Sequence, residues 1–365
     1  MKIQDITTLL ENIAPPYLQE SYDNCGLLTG NKNWNCTGIL ISLDATEAVI
    51  QEAIDKKCNL VVAHHPIIFS GLKKINGNNY VEKTIIAAIK NDIAIYAIHT
   101  NLDNVIMGVN GKMADMIGLI NRQILLPKIG VLRKLQVFVP IAAAANLKQA
   151  IFVAGAGNIG KYSECSFSSA GKGTFKPGEG TNAFVGKKGD QHLEDEIKLE
   201  FIYPAWIENE VITAMLQSHP YEEVAYDLIN LENKYQETGS GLLGELPVAV
   251  TEIEFLQLLK NNFKLEVVRH TSLTGKMVSK IALCGGAGSF LIKAAVASGA
   301  DYYVTGDIKY HEFFDAEGKL VIADIGHYES EQFTVDLLFD ILKKKCTTFA
   351  VLKTGVKTNP VQYFL

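Results

Sequence analysis

Residues 38–65, GILISLDATEAVIQEAIDKKCNLVVAHH, decide the reading of the fold. Ile39-Leu40-Ile41-Ser42-Leu43 is an apolar run of strand length, Thr46 to Lys57 carries apolar residues at helical period, and Asn59-Leu60-Val61-Val62-Ala63 is a second run. The order is βαβ. A further helix, Val81 to Lys90, leads into Ile93-Ala94-Ile95-Tyr96-Ala97-Ile98. Strands alternating with helices predict a largely parallel sheet covered on both faces, so the class is α/β.

The same grammar returns downstream. Lys280-Ile281-Ala282-Leu283, a helix from Ser289 to Ser298, Asp301-Tyr302-Tyr303-Val304 and Leu320-Val321-Ile322-Ala323 follow one another, and a long helix runs through Leu342. The stretches LDATEAVIQEAIDKKCNLVVAHH (43–65) and CGGAGSFLIKAAVASGADYYVTGD (284–307) align as strand end, helix and second strand. That correspondence suggests a duplicated body. The middle differs, reading strand Leu135 to Val139, helix Asn146 to Ala154, strand Tyr162 to Ser169, strand Glu196 to Tyr203, helix Asn209 to Ser218 and strand Val224 to Leu231. This β-α-β-β-α-β order is the ferredoxin-like signature, with the glycine-rich stretch Gly171 to Gly189 as the loop of its central hairpin. The expected division is 1–130 for the first half of the body, 131–240 for the α+β insert and 241–365 for the second half. Removing the insert leaves about 255 residues, an ordinary size for one duplicated unit.

Composition agrees with a folded globular chain. The 365 residues predict about two domains, and 48% hydrophobic with 20% charged residues exclude disordered and collagen-like classes. No apolar run is long enough for a membrane span and the first residues lack a signal-peptide core, so the cytoplasm is expected. Six scattered cysteines without a C-x-x-C pair argue against a zinc ribbon, a redox motif or a disulfide framework. The net charge of −6 argues against a general nucleic-acid footprint and favours small molecules and ions as partners.

Four of the eight histidines directly follow strand runs: His64, His65, His99 and His327. In parallel α/β sheets that edge binds ligands. Pro66 ends the strand after His65, which lets adjacent imidazoles converge where a regular strand would point them apart. Asp103 follows His99 by four residues, and His327 with Glu331 stands at the i, i+4 spacing of one helix face. His64, His65, Asp103, His327 and Glu331 therefore form a mixed nitrogen and oxygen set suited to Zn, Fe, Mn, Co or Ni. Each member alone has an ordinary structural reading. Together they hold more donors than one four-coordinate ion requires, which favours two divalent ions per subunit with Glu331 as the bridging carboxylate.

Weaker signals complete the reading. Gly155-Ala156-Gly157-Asn158-Ile159-Gly160 spells G-x-G-x-x-G but follows a helix, so it is rejected as a dinucleotide fingerprint. Gly285-Gly286-Ala287-Gly288-Ser289 is either an anion cradle or a tight turn. Gly306-Asp307 and His311-Glu312 either contact substrate or cap a helix, and His219-Pro220-Tyr221-Glu222-Glu223 keeps an open role.

At His64-His65-Pro66, His99-Thr100-Asn101-Leu102-Asp103, Gly306-Asp307 and Gly326-His327-Tyr328-Glu329-Ser330-Glu331, the chain resembles the NGG1p-interacting-factor-3-like family, whose members are often named GTP cyclohydrolase 1 type 2 homolog. Tyr22-Asp23-Asn24-Cys25-Gly26-Leu27 is similar to the family's N-terminal D-N-x-G segment. The resemblance implies that His64, His65, Asp103, His327 and Glu331 bind a dinuclear metal centre facing the cavity of a ring-shaped homohexamer. It also implies that the insert is the CutA-like or PII-like module of the longer bacterial members. The expected chemistry is metal-dependent hydrolysis of a nucleotide or another cyclic amidine. His99 would serve as acid/base or would orient a ligand. The alternative is a non-enzymatic protein that stores, delivers or senses metal.

Overall fold

The computed structural model describes residues 1–347 and 349–364. They form two compact units, one of Met1–Pro127 with Glu237 onward and one of Lys128–Gln236.

The first unit is built on two sheets of one plan. In the first sheet Gly38–Ser42, Leu60–Ala63 and Ala94–Ala97 run parallel, and Gly26–Thr29 lies antiparallel outside Ala94–Ala97. In the second, Met277–Ala287, Tyr302–Gly306 and Val321–Asp324 repeat that parallel order, with the short Arg269–His270 antiparallel outside the third strand. This repeated order is a structural duplication. The central strands are apolar along their whole length because both faces are covered: Leu60-Val61-Val62-Ala63 is fully buried. Alternate residues serve alternate faces. Ile39, Ile41, Leu60 and Val62 pack with Ile3, Ile6 and Leu10, whereas Leu40, Val61 and Ala63 pack with Val49, Ile50, Ile85 and Ala88. Thr46 starts the crossover helix Glu47–Asp55 by accepting the Val49 N–H, a cap worth about 1 kcal/mol.

Several elements differ from the sequence expectation. Ala350–Lys353 leaves the second half and joins the first sheet in parallel beside Gly38–Ser42, and Leu338 and Leu342 of the helix Thr334–Lys345 pack into that sheet's core. The expected helix from Ser289 to Ser298 is a 3-10 turn, Ser289–Leu291, followed by an α-helix of only Ile292–Ala297. The single long helix through Leu342 is two, His327–Glu331 and Thr334–Lys345. Two strands absent from the expectation, Tyr235–Thr251 and Ile120–Lys128, extend the second sheet beyond Met277–Ala287.

The second unit has the ferredoxin-like order. Leu132–Pro140, helix Ala144–Val153, Phe167–Phe175, His192–Pro204, helix Glu208–Ser218 and Tyr226–Leu231 build an antiparallel sheet whose central strands are Leu132–Pro140 and His192–Pro204. Leu135, Val137, Leu199, Phe201 and Tyr203 form a core with Leu147, Ile151, Val211 and Met215 of the two helices. The strand expected at Tyr162 to Ser169 begins only at Phe167. Tyr162 instead closes a tight bridge with Ile159, and Glu164 stands at φ 58°, which breaks an extended run. Gly171 to Phe175, expected in the hairpin loop, continues this strand, so the connection is 176–191.

Strands Ile120–Lys128 and Tyr235–Thr251, which lead into and out of the second unit, are neighbours in one sheet. We propose that the body folds without the insert. Replacing Lys128–Gln236 by a short Asn-Gly turn should leave a soluble protein that unfolds in one cooperative transition by circular dichroism. An aggregated product, or one melting without cooperativity, would show that the body depends on the insert.

Candidate metal centre

Parallel strands that stop together leave their following residues on one edge, and the first unit places its ionisable side chains there. His64 and His65 follow Leu60–Ala63, His99 follows Ala94–Ala97, and Asp103 ends the short helix Thr100–Asp103. From the second sheet His327 follows Val321–Asp324, and Glu331 ends the helix that His327 begins. Asn101 and Asn104 fix the short helix by donating to the carbonyls of Ala14 and Leu18. Asn110 ties the two sheets at this edge, accepting the Gly285 N–H and donating to the Asp103 carbonyl.

All four imidazoles are held in the same manner. The Nδ1 of His64 donates to the Ile98 carbonyl at 2.8 Å, that of His65 to Asp44 at 2.7 Å, that of His99 to Asp23 at 2.8 Å and that of His327 to Asp307 at 2.7 Å. Each ring therefore turns Nε2 toward the others, with centroids of neighbouring rings 4.9–5.3 Å apart. A carboxylate or carbonyl behind an imidazole fixes its tautomer and orientation, the arrangement typical of metal-binding histidines.

Glu331 lies at the centre, 2% exposed. Its Oε2 accepts from His65 Nε2 at 2.9 Å and stands 3.2 Å from His327 Nε2, while its Oε1 lies 3.9 Å from His64 Nε2. Asp103 Oδ1 is 3.6 Å from that same His64 nitrogen, and these two atoms are buried without a hydrogen-bond partner. Leaving such groups desolvated and unpaired costs about 1–3 kcal/mol each, and a cation between them removes that cost. Three groups of donors lie close enough to hold an ion: His65, His327 and Glu331; His64, Asp103 and Glu331; and His64, His65 and His99. The residues fit a divalent metal.

The electrostatics follow from burial against charge. Burial pushes His64 down to about 4, which keeps its Nε2 free of a proton at neutral pH. Burial also opposes the charged forms of His65 and His327, but the carboxylates beside them outweigh it and raise the two to about 10 and about 9. For Glu331 burial is likewise overcome, here by the His327 and His65 donors, which hold the carboxyl well below its usual range. Asp103 behaves oppositely: burial first, and then the Glu331 charge, push it well upward. The centre is thus strongly polarised.

The weaker signals resolve into structural parts. Gly286 takes φ 64°, and a Cβ there would stand 2.4 Å from Glu331 Oε1, so this glycine admits the carboxylate. Its N–H donates to Ser330 Oγ and that of Gly285 to Asn110, so these two donors fasten the loop. Asp307 braces His327, and Glu312 caps its own 3-10 turn by accepting the Lys309 N–H. The G-x-G-x-x-G run follows the helix Ala144–Val153. The bracing roles of Asp44, Asp23 and Asp307 were not read from the sequence, although each stands in a quoted motif or just past a strand end.

A cavity of about 420 Å³ opens onto the centre, with Tyr22, Phe69 and Phe290 among its walls and no lysine or arginine among its described lining residues. No helix among the described residues is long and apolar enough to cross a membrane.

Comparison with known proteins follows the same lines. The chain is 40% identical to the GTP cyclohydrolase 1 type 2 homolog of Halalkalibacterium halodurans over 366 residues, covering 99% of this chain and 98% of that one. It is 41% identical to the protein of the same name from Bacillus subtilis over 327 residues, 89% of this chain and 88% of that one. The crystal structure of a Bacillus cereus protein related to NIF3 superposes with a TM-score of 0.86 at 38% identity, covering 100% of this chain and 99% of that one. The profile of the Duf34/NIF3 (NGG1p interacting factor 3) family matches residues 1–360, and the chain belongs to this family.

Proposed function

We propose that the chain holds two divalent ions, of Zn, Fe, Mn, Co or Ni, and is a metal-dependent hydrolase acting on a nucleotide-type ring or another cyclic amidine. One observation carries this reading: Glu331 belongs to two donor groups at once, sharing one with His65 and His327 and the other with His64 and Asp103. A carboxylate so placed has one oxygen for each ion. When bound, such a pair supplies Lewis acidity, acidifying water and polarising a carbon–nitrogen double bond.

The chain's own groups supply the rest. Asp23 accepts from His99 Nδ1 and from the Thr100 N–H and hydroxyl; burial opposes its charge, but these donors hold the carboxyl below its usual range. His99 is thereby backed by a fixed negative charge with Nε2 facing His64 and His65, a position from which it can take or return a proton. Tyr22 and Phe69, with ring centroids 6.2 Å apart, offer an aromatic wall for a planar substrate. With no lysine or arginine on the described cavity lining, recognition rests on the ring, and a base or nucleoside fits better than a triphosphate.

A non-enzymatic reading has its own support. The third donor group, His64, His65 and His99, shares two imidazoles with the other groups and so offers an ion an alternative position, the kind of exchange between sites that a protein delivering metal would use. Turnover separates the two readings: mass spectrometry of metal-loaded protein incubated with purine bases, nucleosides and nucleotides should reveal a consumed ring if the chain is a hydrolase. The unbonded cysteines suit a reducing cytoplasm, and family membership supports a closed homo-oligomer, with a hexameric ring as its form.

Glu331→Ala should lose most of the bound metal while keeping the wild-type circular dichroism, because the carboxylate joins both groups yet sits at an edge. Retention of two ions per chain at unchanged affinity would remove it as the bridge. His99→Ala should keep both ions and bind them at most about 10 to 100-fold more weakly, since the ring is braced but lies outside the two Glu331 groups. Loss of an ion in that variant would make His99 a ligand. Sedimentation at micromolar concentration should show an oligomer; a monomer would contradict the assembly.

A further inference from the structure

His219-Pro220-Tyr221-Glu222-Glu223 has no part in the metal centre, yet His219, Tyr221 and Glu222 are each engaged in the second unit. His219 Nε2 donates to the Phe138 carbonyl at 2.9 Å, and its Nδ1 accepts the Tyr221 N–H at 3.1 Å, which fixes the tautomer and braces the turn. The ring packs edge-on against Tyr221 with centroids 5.1 Å apart. Glu222 accepts the Asn182 N–H and so tethers the 176–191 connection. These contacts shape a cavity of about 670 Å³ on the sheet face opposite the two helices.

The cavity has one aromatic wall and, besides the rim residues Glu222, Glu223, Lys172, Lys176 and Lys198, one buried acid, Glu196. Phe175 and Phe184 pack against Tyr221 with ring centroids 5.8 and 6.2 Å away. Glu196, 8% exposed, accepts the Tyr221 hydroxyl on Oε1 at 2.9 Å. No described residue donates to its Oε2. A Cβ at Gly173 would stand 2.1 Å from that oxygen, so the glycine makes the space in which the carboxylate lies. Two of the three lysines on the lining are paired with other acids, Lys172 with Asp195 at 2.8 Å and Lys198 with Glu200 at 2.9 Å, and the third, Lys176, is exposed to solvent. A carboxylate nine-tenths out of water without a cation is costly, and aromatic faces attract cations rather than anions.

We propose that this cavity binds a small planar cation, an amidine, guanidine or protonated nitrogen heterocycle, whose N–H edge meets Glu196 and whose face lies on Phe175, Phe184 and Tyr221. The geometry suits that class because a carboxylate accepts two parallel N–H bonds and the rings cover a flat body. An anion of the same shape meets the Glu196 charge at the buried end, with cations only at the solvent-exposed or already paired lysines. The site is independent of the metal centre, since none of its residues belongs to the donor groups there.

Isothermal titration of the full chain with benzamidine, and with benzoate as the matched anion, tests this. Benzamidine should bind in the millimolar range or tighter and benzoate at least about tenfold more weakly. Glu196→Gln should weaken benzamidine at least about tenfold while leaving bound metal unchanged by elemental analysis. Absence of benzamidine binding to the unaltered chain, equal binding of benzoate, or full benzamidine affinity in Glu196→Gln would each overturn the proposal. The comparison of the two probes needs no variant and holds if Glu196→Gln fails to fold.

Discussion

A single carboxylate, that of Glu331, is taken almost wholly out of water, and much of the first unit's architecture can be read as what makes this tolerable. Three imidazoles surround it, and each is itself held from behind by a carbonyl or carboxylate. Breaking a buried charge pair by removing one partner costs about 3–5 kcal/mol, so the ring of donors and acceptors is interdependent. The backbone answers the same demand. Gly286 vacates the volume that Glu331 Oε1 approaches, and Ser330 fastens the loop by accepting the Gly286 N–H. What the protein groups do not satisfy, His64 Nε2 and Asp103 Oδ1, face each other across 3.6 Å.

The duplicated sheet explains how such a cluster is assembled from distant sequence. Each half contributes strand ends to one edge, His64, His65 and Asp103 from the first and His327 and Glu331 from the second, and Asn110 links the two loops. The strand Ala350–Lys353 and the helix before it lock the chain's last part onto the first sheet, so the two halves are interleaved rather than merely adjacent. This interleaving suits a site whose donors come from both halves.

Much of this was legible in the sequence because strand ends are legible. Apolar runs such as Leu60-Val61-Val62-Ala63 announce buried parallel strands, and a polar residue just beyond one stands at the ligand-binding edge. The i, i+4 pair His327 and Glu331 was equally direct, its nitrogen and oxygen 3.2 Å apart. Less was visible where pairing is non-local. Ala350–Lys353 has four residues and no pattern that names Gly38–Ser42 as its neighbour, and Ile120–Lys128 is largely exposed, without the apolar continuity that marks a buried strand. In the insert the start of Phe167–Phe175 was misplaced because the left-handed turn at Glu164 is a backbone event that side-chain pattern does not encode. The bracing aspartates were hidden for a different reason: an aspartate after a strand is also a common turn residue, and only the imidazole it meets distinguishes the two.

The central claim, that Glu331 joins two ions, is tested most directly by anomalous X-ray scattering from crystals of the cobalt-loaded protein. The account predicts two peaks per chain on either side of the Glu331 carboxylate, one beside His65 and His327 and the other beside His64 and Asp103. A single peak at full occupancy, or peaks away from Glu331, would contradict it.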